Sequence, residues 1–196
     1  LAPSEMCIRD RNKVEAIKFN DDIVKMYEAL KIKSERDYLF FKLAIHSGLK
    51  VSELLTITVS QVKRLIEKCT LSEMCKAHFH SLIKIRLPET LSKELLQYIE
   101  DRSLSNEDVL FQSLRTNQVL SRQQAYRIIH QASIEAGIDN VGLTTLRKTF
   151  AYHAYQKGIP IPVIQKYLGH QSAIETLNFI GLENECEHSI YISLQL

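Results

Sequence analysis

Helix-start and helix-stop signals bracket most of the apolar-periodic stretches in this chain, and that punctuation limits it to a mainly helical fold. Asn20 precedes a face of Ile23, Val24, Met26, Tyr27 and Leu30, so a helix is expected over 21–30. Ser34 opens a second, with Asp37 suited to the positive helix start. Its apolar face is Tyr38, Phe41, Leu43 and Ile45, and Gly48 stops it. A short helix is expected over 51–55, and Ser60 is the expected cap of another reaching Ile66. Pro88 leads into a helix through Ile99, and residues 101–108 are polar and turn-like. Ser121 and Gly137 bracket a strong helix over 122–136. The next starts at Thr144 or Thr145 and closes at Gly158. Pro160 and Pro162 begin one that ends at Gly169, and Ser172 with Glu175 matches a capping box for a last short helix through Phe179. The tail over 183–194 is read as a further helix.

One region reads differently. Residues 78–87 (HFHSLIKIRL) alternate loosely and end at Pro88, and residues 69–75 are placed to pair with them as a hairpin. The expected fold class is therefore mainly α with a small β-hairpin, an α+β arrangement. At 196 residues the chain suits one medium domain, with 45 % apolar and 24 % charged residues. Residues 12–196 are read as that domain. Residues 1–11 (LAPSEMCIRDR) have no helical or strand period and resemble a translated sequencing-adapter fragment, so they are expected to be non-native or disordered.

Bulk chemistry excludes little. No apolar run is long enough to cross a bilayer, and no membrane partner is expected. Cys7, Cys69, Cys75 and Cys186 form no CxxC pair, which fits reduced thiols in a cytosolic protein. The net charge of +2 permits nucleic-acid binding without arguing for it. Cys75, His78 and His80 have a metal-like look, but no fourth ligand is near, so no metal is expected.

Three stretches carry the functional signal. They are His46-Ser-Gly-Leu-Lys-Val-Ser-Glu-Leu-Leu55, Thr144-Thr-Leu-Arg-Lys-Thr-Phe150, and Leu168-Gly-His170 followed by Thr176-Leu-Asn-Phe-Ile-Gly181. In order and spacing they resemble the catalytic domain of the tyrosine recombinase (phage integrase) family, over about residues 12–182. That family typically reads TGLRxSELL, HxLRHTF or HTLRKTF, and LGHxS with a tyrosine nine residues after the histidine. The resemblance implies attack on a DNA phosphodiester by a tyrosine hydroxyl, giving a 3′-phosphotyrosyl link. It also implies two arginines clamping phosphate oxygens and a hairpin lysine serving the leaving 5′-oxygen, with no metal or cofactor. The family normally carries an additional N-terminal DNA-clamping domain, which is expected to be absent here.

Mapped onto this chain, the family set is incomplete. Arg147 matches the second arginine and His170 the second histidine. Lys50 stands at the first arginine, keeping charge but losing the planar fork. Thr144 stands at the first histidine and cannot shuttle a proton near neutral pH. Lys76 is the expected hairpin lysine, with Lys68 and Lys84 as competitors. Phe179 stands at the nucleophile and has no hydroxyl. Tyr167 and Tyr191 are the tyrosines that could replace it, though neither has the family spacing.

Plainer readings exist for each residue. Arg147 alone would be a surface helix arginine, His170 a residue favoured by a helix C-terminus, and Phe179 a packing residue. Glu53 either supports the phosphate-site cation or faces solvent. Lys13, Lys18, Arg122, Arg127, Lys148, Lys157 and Lys166 form either a DNA-facing surface or ordinary solvated positions. The resemblance implies double-stranded DNA as partner. It further implies a homo-oligomer, or an intact recombinase, reached through the C-terminal tail. The expected function is DNA binding in recombination or integration with strand cleavage impaired. The alternatives are an active recombinase using a displaced tyrosine, or a non-enzymatic relic docking on an intact one.

Overall fold

The computed structural model describes residues 14–69, 83–113, 116 and 118–182. Within them the chain forms α1 (Asn20–Lys33), α2 (Glu35–Ser47), α3 (Val51–Thr56), α4 (Val59–Lys68), α5 (Glu89–Asp101), α6 (Arg122–Ala136), α7 (Leu143–Gln156), α8 (Ile161–Leu168) and α9 (Ala173–Ile180). No described helix is long and apolar enough to cross a membrane.

Helix α2 is the centre of the packing. It touches α1, α3, α5 and α7, and Leu39, Phe40, Phe41, Leu43 and Ala44 are fully buried. A helix apolar on nearly every side has to be wrapped by its neighbours. Phe40 meets Phe111 edge-on at 5.3 Å, and Tyr27 of α1 meets Tyr38 and Phe41 in the same way. Arg36 and Asp37 are buried with them. Arg36 Nε donates to Asp37 at 2.7 Å and its Nη1 to the Gln112 carbonyl at 3.0 Å. Asp37 thus serves a buried ion pair as well as the helix start, and its burial pushes its pKa up against the pull of Arg36.

Local chemistry sets the helix ends. Ser121 accepts from Gln124 N–H at 3.2 Å while the Gln124 amide oxygen accepts from Ser121 N–H at 2.9 Å, and Gly137 closes α6. Other ends differ from expectation. Asn20 is the first helical residue of α1, Phe19 precedes it without a side-chain cap, and the helix continues to Lys33. Thr58, not Ser60, caps α4 by accepting from Gln61 N–H at 3.4 Å, because Gln61 can answer by accepting from Thr58 N–H at 2.9 Å. Ser172 does cap α9, but the Glu175 carboxylate reaches one residue further back, to Gln171 N–H at 2.7 Å.

The described residues contain no named strand. Their β pairing is confined to isolated antiparallel bridges, Thr58–Val109 and Gln112–Val119. The expected hairpin over 69–75 and 78–87 falls mostly on residues 70–82, outside the described residues. At its open end Ile85 N–H donates to the Cys69 carbonyl at 3.0 Å, while residues 83–88 are irregular. The expected tail helix over 183–194 also lies outside the described residues.

Candidate functional site

Helix α7 starts at Leu143, where the Thr145 hydroxyl accepts from Gly142 N–H at 3.0 Å. Leu143, Leu146 and Ala151 bury one side of it. Arg147 and Phe150, three residues apart, therefore share a neighbouring face, and both address the end of α2. Arg147 Nε donates to the Gly48 carbonyl at 3.0 Å, and Nη2 donates to the Leu168 carbonyl at 3.1 Å. Gly48 caps α2 and Leu168 ends α8, so both carbonyls lie at the negative ends of helices. One guanidinium thereby binds the first and third sequence stretches to the second.

Two further contacts tighten this junction. The Tyr167 hydroxyl donates to the Ser47 carbonyl, and both residues are buried. The Phe150 ring packs on Gly48 and lies 5.3 Å from the Tyr167 ring. Tyr167 is thus occupied in holding the end of α2, which the sequence reading, weighing it as a substitute nucleophile, did not anticipate. Nothing in its sequence position announces this, because Ser47 is 120 residues away.

His170 follows the Gly169 cap of α8. Its N–H donates to the Gln165 carbonyl at 3.1 Å, and its Nδ1 lies 3.0 Å from the hydroxyl of the fully buried Thr176. The Thr176 hydroxyl also lies 3.3 Å from the Ser172 carbonyl. With the threonine proton directed to that carbonyl, Nδ1 carries the imidazole proton and Nε2 is the acceptor. Burial lowers the His170 pKa and the nearby Arg147 cation lowers it too, while Glu175 opposes them.

Thr176 and Phe179 are three residues apart on α9, which puts both against His170. The Phe179 ring meets the imidazole edge-on at 5.0 Å, and Lys148 Nζ lies 5.4 Å from the centre of the phenyl ring. Thr176 is a site residue that sequence reasoning missed. The signal was its spacing from Phe179.

The remaining expected residues fall as follows. Lys50 is exposed at the start of α3, two residues beyond Gly48, and Thr144 is exposed one turn before Arg147. The Glu53 carboxylate accepts from the Lys50 N–H at 2.8 Å. It thus caps the start of α3 and fixes the backbone that carries Lys50. Lys76 lies outside the described residues, and its competitors Lys68 and Lys84 are exposed. Tyr191, Cys75, His78, His80 and Lys13 also lie outside them. Among the described residues no three His, Cys, Asp or Glu side chains gather as metal ligands. Arg122, Arg127, Lys157 and Lys166 are exposed, whereas Lys18 and Lys148 are partly buried against aromatic rings.

The profile of the phage integrase family matches residues 19–183. The chain is 33 % identical over 178 residues to the "Probable integrase/recombinase YoeC" of Bacillus subtilis (strain 168), covering 91 % of this chain and 95 % of that one. The solved structure of XerA recombinase superposes with a TM-score of 0.67 at 24 % identity, over 85 % of this chain and 58 % of that one. XerH site-specific recombinase, solved bound to a palindromic difH substrate after cleavage, superposes with a TM-score of 0.65 at 19 % identity. That likeness covers 89 % of this chain and 51 % of XerH. The chain thus spans 58 % and 51 % of these two solved recombinases, and at these identities they speak for its fold alone.

Proposed function

We propose, from the premise that this chain belongs to the phage integrase family of tyrosine recombinases, that it is a double-stranded-DNA-binding domain of DNA recombination and integration whose strand cleavage is impaired. The observation that carries this reading is the convergence on Arg147, which joins Gly48 and Leu168 while His170 and Phe179 lie together beside it. Residues 12–196 act as one catalytic-type domain of a mobile element, in the manner of a pseudoenzyme. Arg147, His170 and Lys50 bind a backbone phosphate, with Lys76 serving as the hairpin lysine and Thr144 adding a hydrogen bond.

Cleavage in this family needs an oxygen to attack phosphorus while the bond to the 5′-oxygen breaks and that oxygen takes up a proton. The phenyl ring of Phe179 supplies no such oxygen. Losing a general acid or base slows a reaction by about 10²–10⁴, but losing the attacking atom removes the covalent route. Lys50 and Thr144 compound the loss, since an ammonium cannot clamp two phosphate oxygens as a guanidinium does. Tyr167 is a poor substitute, because it is buried and its hydroxyl is spent on Ser47.

The test combines gel shift on duplex DNA with denaturing gels on nicked duplexes that trap phosphotyrosyl adducts. The expected result is salt-sensitive binding without an adduct, and an adduct after F179Y, T144H and K50R are combined. An adduct in the natural chain that vanishes on Y191F would assign cleavage to a displaced tyrosine. Absence of binding at physiological salt, with co-elution beside an intact recombinase, would make the chain a docking module acting through residues 183–196. Self-association through the same tail would appear as a concentration-dependent mass in sedimentation.

A further inference from the structure

Residues 14–19 run along α7 and are fastened at successive points to it and to the residues just before it. Glu15 N–H donates to the Asn140 carbonyl and Ile17 N–H to the Thr149 hydroxyl, each at 2.9 Å. His153 Nε2 lies 2.9 Å from the Ile17 carbonyl, and Lys148 Nζ donates to the Val14 carbonyl at 2.9 Å. A β-carbon on Gly142 would stand 2.9 Å from Val14 Cγ1, so the two segments are in close contact. The same segment also reaches α9. Lys18 Nζ lies over the Tyr152 ring at 5.7 Å and would lie 3.6 Å from a β-carbon on Gly181, the cap of α9.

Lys148 is where these contacts meet the candidate site, for its ammonium faces both the Val14 carbonyl and the Phe179 ring. We propose that Lys148 is a positioning residue that couples segment 14–19 to α9, holding the aromatic ring at position 179 edge-on to His170. A cation over an aromatic face is attracted by the ring quadrupole, and a carbonyl at hydrogen-bond distance fixes where that cation stands. The position of the N-terminal segment is thereby transmitted to the place where the family carries its nucleophile. The coupling rests on the reading of position 179 given above, but not on DNA binding.

K148Q keeps a donor for the Val14 carbonyl and removes the cation, and K148R restores a cation. In the otherwise unsubstituted chain, K148Q is expected to shift the His170 imidazole resonances, which report the Phe179 ring edge, and K148R to return them. A second measurement uses F179Y as background. The charged and titratable groups against the ring at position 179 are Lys148 from α7 and His170 ahead of α9, with Arg147 and Glu175 acting on His170 and Lys18 beside Gly181. Removing the Lys148 cation should raise the pH at which that phenol ionises, by about half a unit or more, read by carbon-13 NMR of labelled tyrosine. F179Y/K148R should behave as F179Y does.

Unchanged His170 resonances in folded K148Q, or a phenol titration indifferent to residue 148, would overturn the proposal. So would a drop of about 0.9 in the salt slope of DNA binding on K148Q, which is the signature of one lost phosphate contact. A natural chain with no DNA affinity would remove the proposed function while leaving both resonance measurements readable.

Discussion

Phe150 lies against Gly48 so closely that a β-carbon on the glycine would stand 2.3 Å from Phe150 Cδ1. Gly48 also has φ +64°, a conformation that costs an ordinary residue about 1–2 kcal/mol. Gly48→Ala therefore combines backbone strain with overpacking against a ring that is itself held by Tyr167. The expected loss is about 2–4 kcal/mol, read as a lowered denaturant midpoint. A midpoint unchanged in G48A would mean the ring can retreat freely.

Tyr167→Phe removes one oxygen and leaves the Ser47 carbonyl buried without its donor. The expected destabilisation is about 1–3 kcal/mol, visible in urea unfolding. Because the hydroxyl acts on α2 and not on substrate, the folded Y167F protein should bind duplex DNA as the natural chain does. Weakened duplex binding by folded Y167F would contradict this.

Arg147→Lys keeps the charge, but a compact ammonium cannot reach the Gly48 and Leu168 carbonyls as a fork does. Losing one charged hydrogen bond should cost about 1.5–3 kcal/mol. DNA affinity should fall in parallel, since the same group is proposed to hold phosphate. Full stability in R147K would show that the two carbonyls find another donor.

Acid should destabilise the fold through its histidines. Burial lowers the pKa of both His46 and His170 from the usual 6.5, against the opposing pull of the Lys42 carbonyl on His46 and of Glu175 on His170. As pH falls through 6.5 the unfolded chain takes up these protons before the folded chain does, so stability declines. Above 6.5 both states are neutral at these sites and stability is flat with respect to them. His46 Nδ1 lies 2.8 Å from the Lys42 carbonyl and must donate to it. His46→Asn keeps a donor there and should flatten part of the slope between neutral and mildly acid pH, measured by thermal melts. An unchanged slope in H46N would assign the acid sensitivity elsewhere.

The helices and the family were legible in the sequence because both are written locally. A helix end needs a cap and a stop within a few residues, as at Ser121 and Gly137, and each of the three sequence stretches is a short run of adjacent residues. Departures such as Phe179, Lys50 and Thr144 were legible for the same reason, as residue identities at fixed spacings. Local reading missed where two caps compete: Thr58 displaced Ser60 because only Thr58 has a partner in Gln61.

What tertiary structure alone decided are the relations between distant residues. Arg147 spends its fork on Gly48 and Leu168, Tyr167 is committed to Ser47, and Lys148 lies between Val14 and Phe179. These partners stand from 21 to 134 residues apart. A hydrogen bond or a ring contact depends on ångströms in space, and residue type and local spacing carry no record of them. The sequence by itself therefore determined which chemistry the chain resembles and which groups it lacks, while packing determined which of its remaining side chains hold the site and which surround position 179.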